Sequence, residues 1–243
     1  MTKSISKCND ADSLFPRREF ILGGAASLAF GLLSNSAAQA NPAKQGLLPE
    51  HTLISEKGGA DKKDLPHFDV ALYPQDESFR KECIRLARTN LSDRADGYLL
   101  AEDAFPHVTL TLFQSEEEKL AEIWKSITSL QSKPLELNFT HIYIDPDMHT
   151  PCLLWVGLAV RPHAELSQLQ QAVFDKLGSM GIVGRTKPET YFPHVTWSRC
   201  RDTVPFSLKE LPSVAFYQKS YHFEMTIGRS NENGVYRERM YHA

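Results

Sequence analysis

The pentapeptide Phe105-Pro106-His107-Val108-Thr109 occurs a second time as Phe192-Pro193-His194-Val195-Thr196. With about 30,000 position pairs at roughly 0.06 identity per site, chance supplies only a few hundredths of such a repeat. The likeness extends beyond five residues. A strand-like run ending at Tyr73 precedes His107, and another ending at Val160 precedes His194 by the same interval. Each run is followed by a helical pattern at the same offset. The chain therefore reads as two β-α-β units related by duplication. The expected fold is α+β and two-lobed, with antiparallel sheets forming a central cleft.

The remaining punctuation fits this frame. His67–Tyr73 alternates as a strand, and a 3.6-residue period over about 76–90 puts Phe79, Cys83, Leu86 and Ala87 on one helix face. Further strands are expected over 105–113, 135–144, 152–160, 192–198, 214–227 and 235–241, with an Asn231–Gly234 turn between the last two. Ser115 and Glu118 read as a capping box opening a helix with Leu120, Ile123, Trp124 and Ile127 inward. A third helix over 164–177 is expected to stop at Gly178.

Residues i and i+2 of a strand share a face, so His107 projects with Thr109 and His194 with Thr196. Symmetric packing of the lobes would bring both pairs to one cleft. Two imidazoles can serve there as general acid and general base near neutral pH. Two hydroxyls can donate hydrogen bonds to phosphoryl oxygens. Phe105 and Phe192 are placed to wall the cleft and stack on a base, or to pack in the core; Tyr191 and Tyr73 are further stacking candidates. Arg185 and Lys187, in a Gly184–Lys187 segment that reads as a flexible loop, either guide a polyanion or are merely solvated. His141, His149, Asp145 and Asp147 match no metal-ligand spacing, and no cofactor motif is present.

Twin H-x-T motifs on paired strands of a duplicated α+β chain resemble the two-histidine (2H) phosphoesterase superfamily. Its members include 2′-5′ RNA ligase-like proteins and RNA or nucleotide 2′,3′-cyclic phosphodiesterases. The resemblance covers roughly residues 67–241, on His107-Val-Thr109-Leu-Thr-Leu-Phe113 and His194-Val-Thr196-Trp-Ser-Arg199. It implies a metal-independent enzyme acting on a nucleotide or RNA terminus that carries a cyclic phosphate. It further implies His107 as acid and His194 as base, a 2′-phosphate product, and Arg199 as a phosphate or substrate contact. A nucleotide-binding module of the same fold and a 2′-5′ ligase-like activity are the alternatives it leaves open.

The N-terminus reads as an address. Arg17-Arg18 precede Phe20-Ile21, a short apolar stretch runs to Leu33, and Ala38-Gln39-Ala40 offers a cleavage site. The pair resembles a twin-arginine export signal, with an ordinary secretory signal as the alternative. Residues 1–40 are thus expected to be removed after Ala40, 41–66 to form a tether, and 67–243 to form a periplasmic or secreted phosphoesterase domain. With no apolar run of about 18 residues, the domain is expected to have no stable membrane association. As nothing in the sequence demands a dimer, it is expected to be a monomer. A formal net charge of −3 excludes a strongly basic nucleic-acid coat protein. Cys83, Cys152 and Cys200 lack C-x-x-C spacing and read as small buried apolar groups.

Overall fold

The structure is a computed structural model, and it describes residues 65–202 and 206–242. The expected export signal and nearly all of the expected tether lie outside these residues. Strands β1 (His67–Pro74), β2 (Ala95–Leu99), β3 (Val108–Gln114), β4 (Leu135–Leu137), β5 (Phe139–Pro146), β6 (Leu153–Val160), β7 (His194–Arg201), β8 (Tyr221–Ser230) and β9 (Tyr236–His242) alternate with helices α1 (Glu77–Leu91), α2 (Leu120–Ile127), α3 (Ala164–Ser179) and α4 (Val214–Gln218). The strands form two antiparallel sheets. One runs β3-β1-β8, with β4 and β9 sharing the far edge of β8; the other runs β2-β7-β6-β5.

The helices start where side chains meet their free amides. Asp76 accepts from Phe79 N at 3.1 Å to open α1, and His163 Nδ1 accepts from Leu166 N at 3.3 Å to open α3. Helix α1 leaves the first sheet at β1, yet packs chiefly against β7 and β2 of the second. Helix α3 leaves the second sheet at β6 and packs against β3 of the first. Fully buried Leu86, Ala87, Leu166, Val173 and Leu177 join one continuous hydrophobic core with both sheets. No helix of the described residues is long and apolar enough to cross a membrane.

The duplication holds in the registers. In the first unit β1 pairs with β3 as Val70↔Thr111 then Ala71↔Thr109, which leaves Leu110 as an extra residue. In the second, β6 pairs with β7 as Val156↔Ser198 then Gly157↔Thr196, which leaves Trp197 extra. Each motif threonine is therefore followed by a β-bulge, and each bulged residue is fully buried.

Several expected elements differ. The run over 135–144 is two strands in two different sheets. Asn138 breaks it, donating to Lys219 O and Ser220 Oγ while its own carbonyl accepts from Arg161 N. Strand β2 was not expected; it is short and irregular, with Gly97 at φ +84° inside a bulged pairing with β7. The start of the expected 214–227 strand is helical, because Ser213 accepts from Phe216 N and caps α4. Ser115 forms no capping box: its hydroxyl donates to Glu116 O, and a short 3₁₀ turn precedes α2. Helix α3 passes Gly178 and ends at Ser179, with Met180 as its cap and Gly181, at φ +75°, turning the chain away beyond it. Cys83 and Cys200 are buried as expected, whereas Cys152 is exposed on the turn before β6.

Candidate active site

The repeated pentapeptide has one structure in both places. The Phe-Pro step keeps the chain extended. The phenylalanine carbonyl then meets the ring two residues later: Phe105 O lies 2.7 Å from His107 Nδ1, and Phe192 O lies 2.7 Å from His194 Nδ1. A carbonyl only accepts, so each Nδ1 carries a proton and each Nε2 is the nitrogen left for chemistry. Val108 and Val195 point the other way and are fully buried, worth about 1.5–3 kcal/mol each. Thr109 and Thr196 return to the histidine face, half-buried.

Both faces open on one cavity of about 170 Å³. It is lined by His107, Thr109, Leu112, Thr186, Tyr191, Phe192, His194, Thr196, Asn233 and Gly234. The bulges explain the presence of Leu112. Simple alternation would put Thr111 on the histidine face, but the extra Leu110 resets the phase. Thr111 is fully buried instead, its hydroxyl accepting from Thr186 N at 3.3 Å.

The two motifs have different neighbours. Thr109 Oγ1 donates to Asp69 Oδ2 at 2.7 Å, and that same oxygen lies 3.5 Å from His107 Nε2. Asp69, on β1, is fully buried, and its Oδ1 has no hydrogen-bond partner. Burial pushes its carboxyl above the ordinary value, although hydrogen bonding and charge from His107 pull against that shift. In the other lobe Thr196 Oγ1 pairs with Tyr143 OH at 3.1 Å, and no carboxylate takes its place. Burial, and then the charge of His107, hold His194 below the usual histidine value. Each imidazole also lies against a tyrosine ring, His107 on Tyr236 at 5.0 Å and His194 on Tyr143 at 4.8 Å. A glycine makes room for each tyrosine. A Cβ on Gly228 would stand 2.3 Å from the Tyr236 ring, and one on Gly157 would stand 2.7 Å from the Tyr143 ring.

The other sequence candidates divide. Phe192 is 39% exposed at the cavity mouth and stacks on His194 at 5.5 Å. Phe105 does not line the cavity; it packs edge-on between Tyr73 and Tyr236. Tyr191 lines the cavity and donates to Thr109 O at 3.1 Å. Tyr73 carries two guanidinium groups over its ring, Arg239 at 4.6 Å and Arg80 at 5.3 Å. Arg199 lies outside the cavity lining. Its Nε donates to Asp147 Oδ2 at 2.6 Å and its Nη2 to Thr150 Oγ1 at 2.5 Å, so the turn before β6 holds it. The Gly184–Lys187 segment is tied down rather than loose: Arg185 N donates to Leu112 O, Gln170 Nε2 to Thr186 O, and Arg185 Nη1 to Glu232 O across the rim. Among the described residues no three His, Cys, Asp or Glu side chains gather as a metal site. Sequence reasoning missed Asp69, Tyr143 and Tyr236, all of them brought in by neighbouring strands.

A sequence model of the 2′-5′ RNA ligase superfamily matches residues 74–229. A curated relative from Archaeoglobus fulgidus, named RNA 2′,3′-cyclic phosphodiesterase, is 30% identical over 101 residues, which is 41% of this chain. The match spans about half of that relative, 54% of its length. Among solved structures, E. coli LigT complexed with 3′-AMP superposes with a TM-score of 0.54 at 17% identity, covering 74% of this chain and 98% of LigT. A structure described as a phosphoesterase gives 0.53 at 18% identity, with the same coverage. At these identities the likeness is one of fold: mixed α/β with antiparallel sheets.

Proposed function

This chain belongs to the 2′-5′ RNA ligase superfamily, and on that premise we propose that it is a phosphoesterase that hydrolyses 2′,3′-cyclic phosphates of RNA ends or nucleotides. The observation that carries the reading is the pair of imidazoles on one cavity, each with Nδ1 on its own phenylalanine carbonyl. The name of the relative, RNA 2′,3′-cyclic phosphodiesterase, and the nucleotides 3′-AMP and NADP⁺ held by LigT support a nucleotide or RNA end as the substrate class.

In this reading His194 Nε2 takes a proton from water as the water oxygen bonds to phosphorus. The bond from phosphorus to the ribose 3′ oxygen breaks, and that oxygen takes its electron pair and the proton on His107 Nε2. The product keeps a 2′-phosphate. Thr196 supplies a hydroxyl to the phosphoryl oxygens, and exposed Phe192 offers a face for the base. Arg17-Arg18 and Ala38–Ala40 support export and action outside the cytoplasm as part of the same proposal.

The test is turnover of 2′,3′-cyclic AMP with EDTA present, at pH values from about 5 to 9. A bell-shaped kcat/KM profile is expected. His107→Ala and His194→Ala should each lose at least about 10²-fold, and the double variant far less than the product of the two. Near-wild-type turnover by either single variant would overturn the mechanism. Tight nucleotide binding without hydrolysis would favour a binding module instead.

A further inference from the structure

The duplication presents two equivalent histidines, yet acid–base hydrolysis needs one protonated and one not. We propose that Asp69 is the positioning residue that makes them inequivalent, its buried carboxylate serving as counter-ion to the imidazolium of His107 and as the anchor of Thr109. This rests on the hydrolytic reading above and names what sets its direction.

The argument is geometric. With Nδ1–H on the Phe105 carbonyl, a neutral His107 would turn the Nε2 lone pair toward Asp69 Oδ2 at 3.5 Å. Two lone pairs facing one another repel, whereas an Nε2–H facing a carboxylate is attracted. The separation is longer than a hydrogen bond between charged partners, so the proton stays free to pass to a leaving oxygen. Asp69 is itself fixed. The Thr109 hydroxyl holds Oδ2 at 2.7 Å, and the residue is fully buried on β1 between β3 and β8.

The polar and ionisable groups facing Asp69 are His107 from just before β3, Thr109 from β3, Tyr191 from the segment before β7, and Tyr236 from β9. Burial holds both tyrosines above their usual range, so they stay neutral at working pH. His107 is then the one group among these able to carry a positive charge opposite Asp69. The second lobe has no carboxylate in contact with its motif: its threonine meets the neutral Tyr143. Asp145 raises His194 only through its charge and as the smallest of the influences on it, and desolvation outweighs that and holds His194 below the usual histidine value. The same contact gives the threonines different work. The Thr109 proton is held by Asp69, while Thr196 can accept from Tyr143 and turn its own proton to the phosphoryl group.

Asp69→Asn keeps the shape and an acceptor for Thr109 but removes the charge. Two measurements test it in the full domain. The first follows the His107 ring resonances by NMR across pH 5 to 9 without substrate; the titration midpoint should fall by about one pH unit or more in the variant, as expected for loss of an opposite charge at this range. An unmoved midpoint overturns the proposal, and does so whether or not the protein turns anything over. The second is the pH–rate profile. The alkaline limb should move to lower pH with the acid limb in place, so that loss is at least about tenfold at pH 8 and small at pH 6. Thr109→Val is the control, since it removes the anchor and keeps the charge. If Asp69→Asn and Thr109→Val lower activity equally at all pH values, Asp69 only braces the threonine and the proposal fails. A shifted NMR midpoint with no turnover by the wild-type protein would retain Asp69 as the counter-ion and sink the hydrolytic reading instead.

Discussion

At the residue scale, what an H-x-T pair can do depends on what its two side chains already touch. Thr109 has placed its proton on a carboxylate, whereas Thr196 shares a hydrogen bond with a phenol that can donate to it. Thr196→Val should therefore cost about 10²–10³-fold in kcat, the range for losing a donor to developing charge. Thr109→Val should cost clearly less, and steady-state kinetics on a cyclic nucleotide would compare them. Equal losses would show that both hydroxyls reach the phosphoryl group. The histidines and threonines were legible because the repeat marked them twice. Asp69 was not, although a lone carboxylate in the strand-like run His67-Phe-Asp-Val-Ala-Leu-Tyr73 was itself a signal: such a group is seldom buried without a partner. The Arg199 side chain shows the reverse. Its place after the motif suggested a substrate contact, but Asp147 lies far from it in sequence and close to it in the fold.

At the element scale, glycine sets how near the strands and rings approach. Gly157 faces Thr196 across the β6–β7 ladder, and a Cβ there would stand 2.2 Å from Val195 O and 2.9 Å from Thr196 Cα. Gly157→Ala should destabilise by about 1–3 kcal/mol through overpacking, and should displace Tyr143 and Thr196 enough to lower activity. Gly178 is the contrast: it is helical, with open space where its Cβ would be. Gly178→Ala should stabilise by about 0.5 kcal/mol. Urea unfolding of the two variants tests the pair, and similar midpoints would contradict it. The long strands and helices were readable from periodicity, since their buried faces recur at 2.0 or 3.6 residues. The bulges, the break at Asn138 and strand β2 were not. Each is decided by a partner strand or a side-chain hydrogen bond that no local pattern carries.

At the scale of the whole molecule, titration links the cleft to stability. His194 sits below its unfolded value near 6.5, so beneath that pH the unfolded chain binds a proton that the folded chain refuses. Stability should fall as pH drops from about 6.5 toward the lowered folded value. Asp76, held low first by Lys219, adds a second loss below about pH 4, as its stabilising contribution disappears on protonation. Asp69, raised by burial, works in the opposite sense and gains stability as it protonates. Urea midpoints at pH 5 and pH 7 should therefore differ more in the wild-type protein than in His194→Gln; equal differences would remove His194 from the account. The two-lobed plan was visible from the duplicated units, but not the exchange between them. The first half of the chain lends β2 and helix α1 to the second sheet, and the second half returns β8, β9 and helix α3 to the first. Neither half can finish a sheet alone, so the lobes must melt in one transition, and a chain cut at the turn before β6 would regain its fold only when both pieces were mixed.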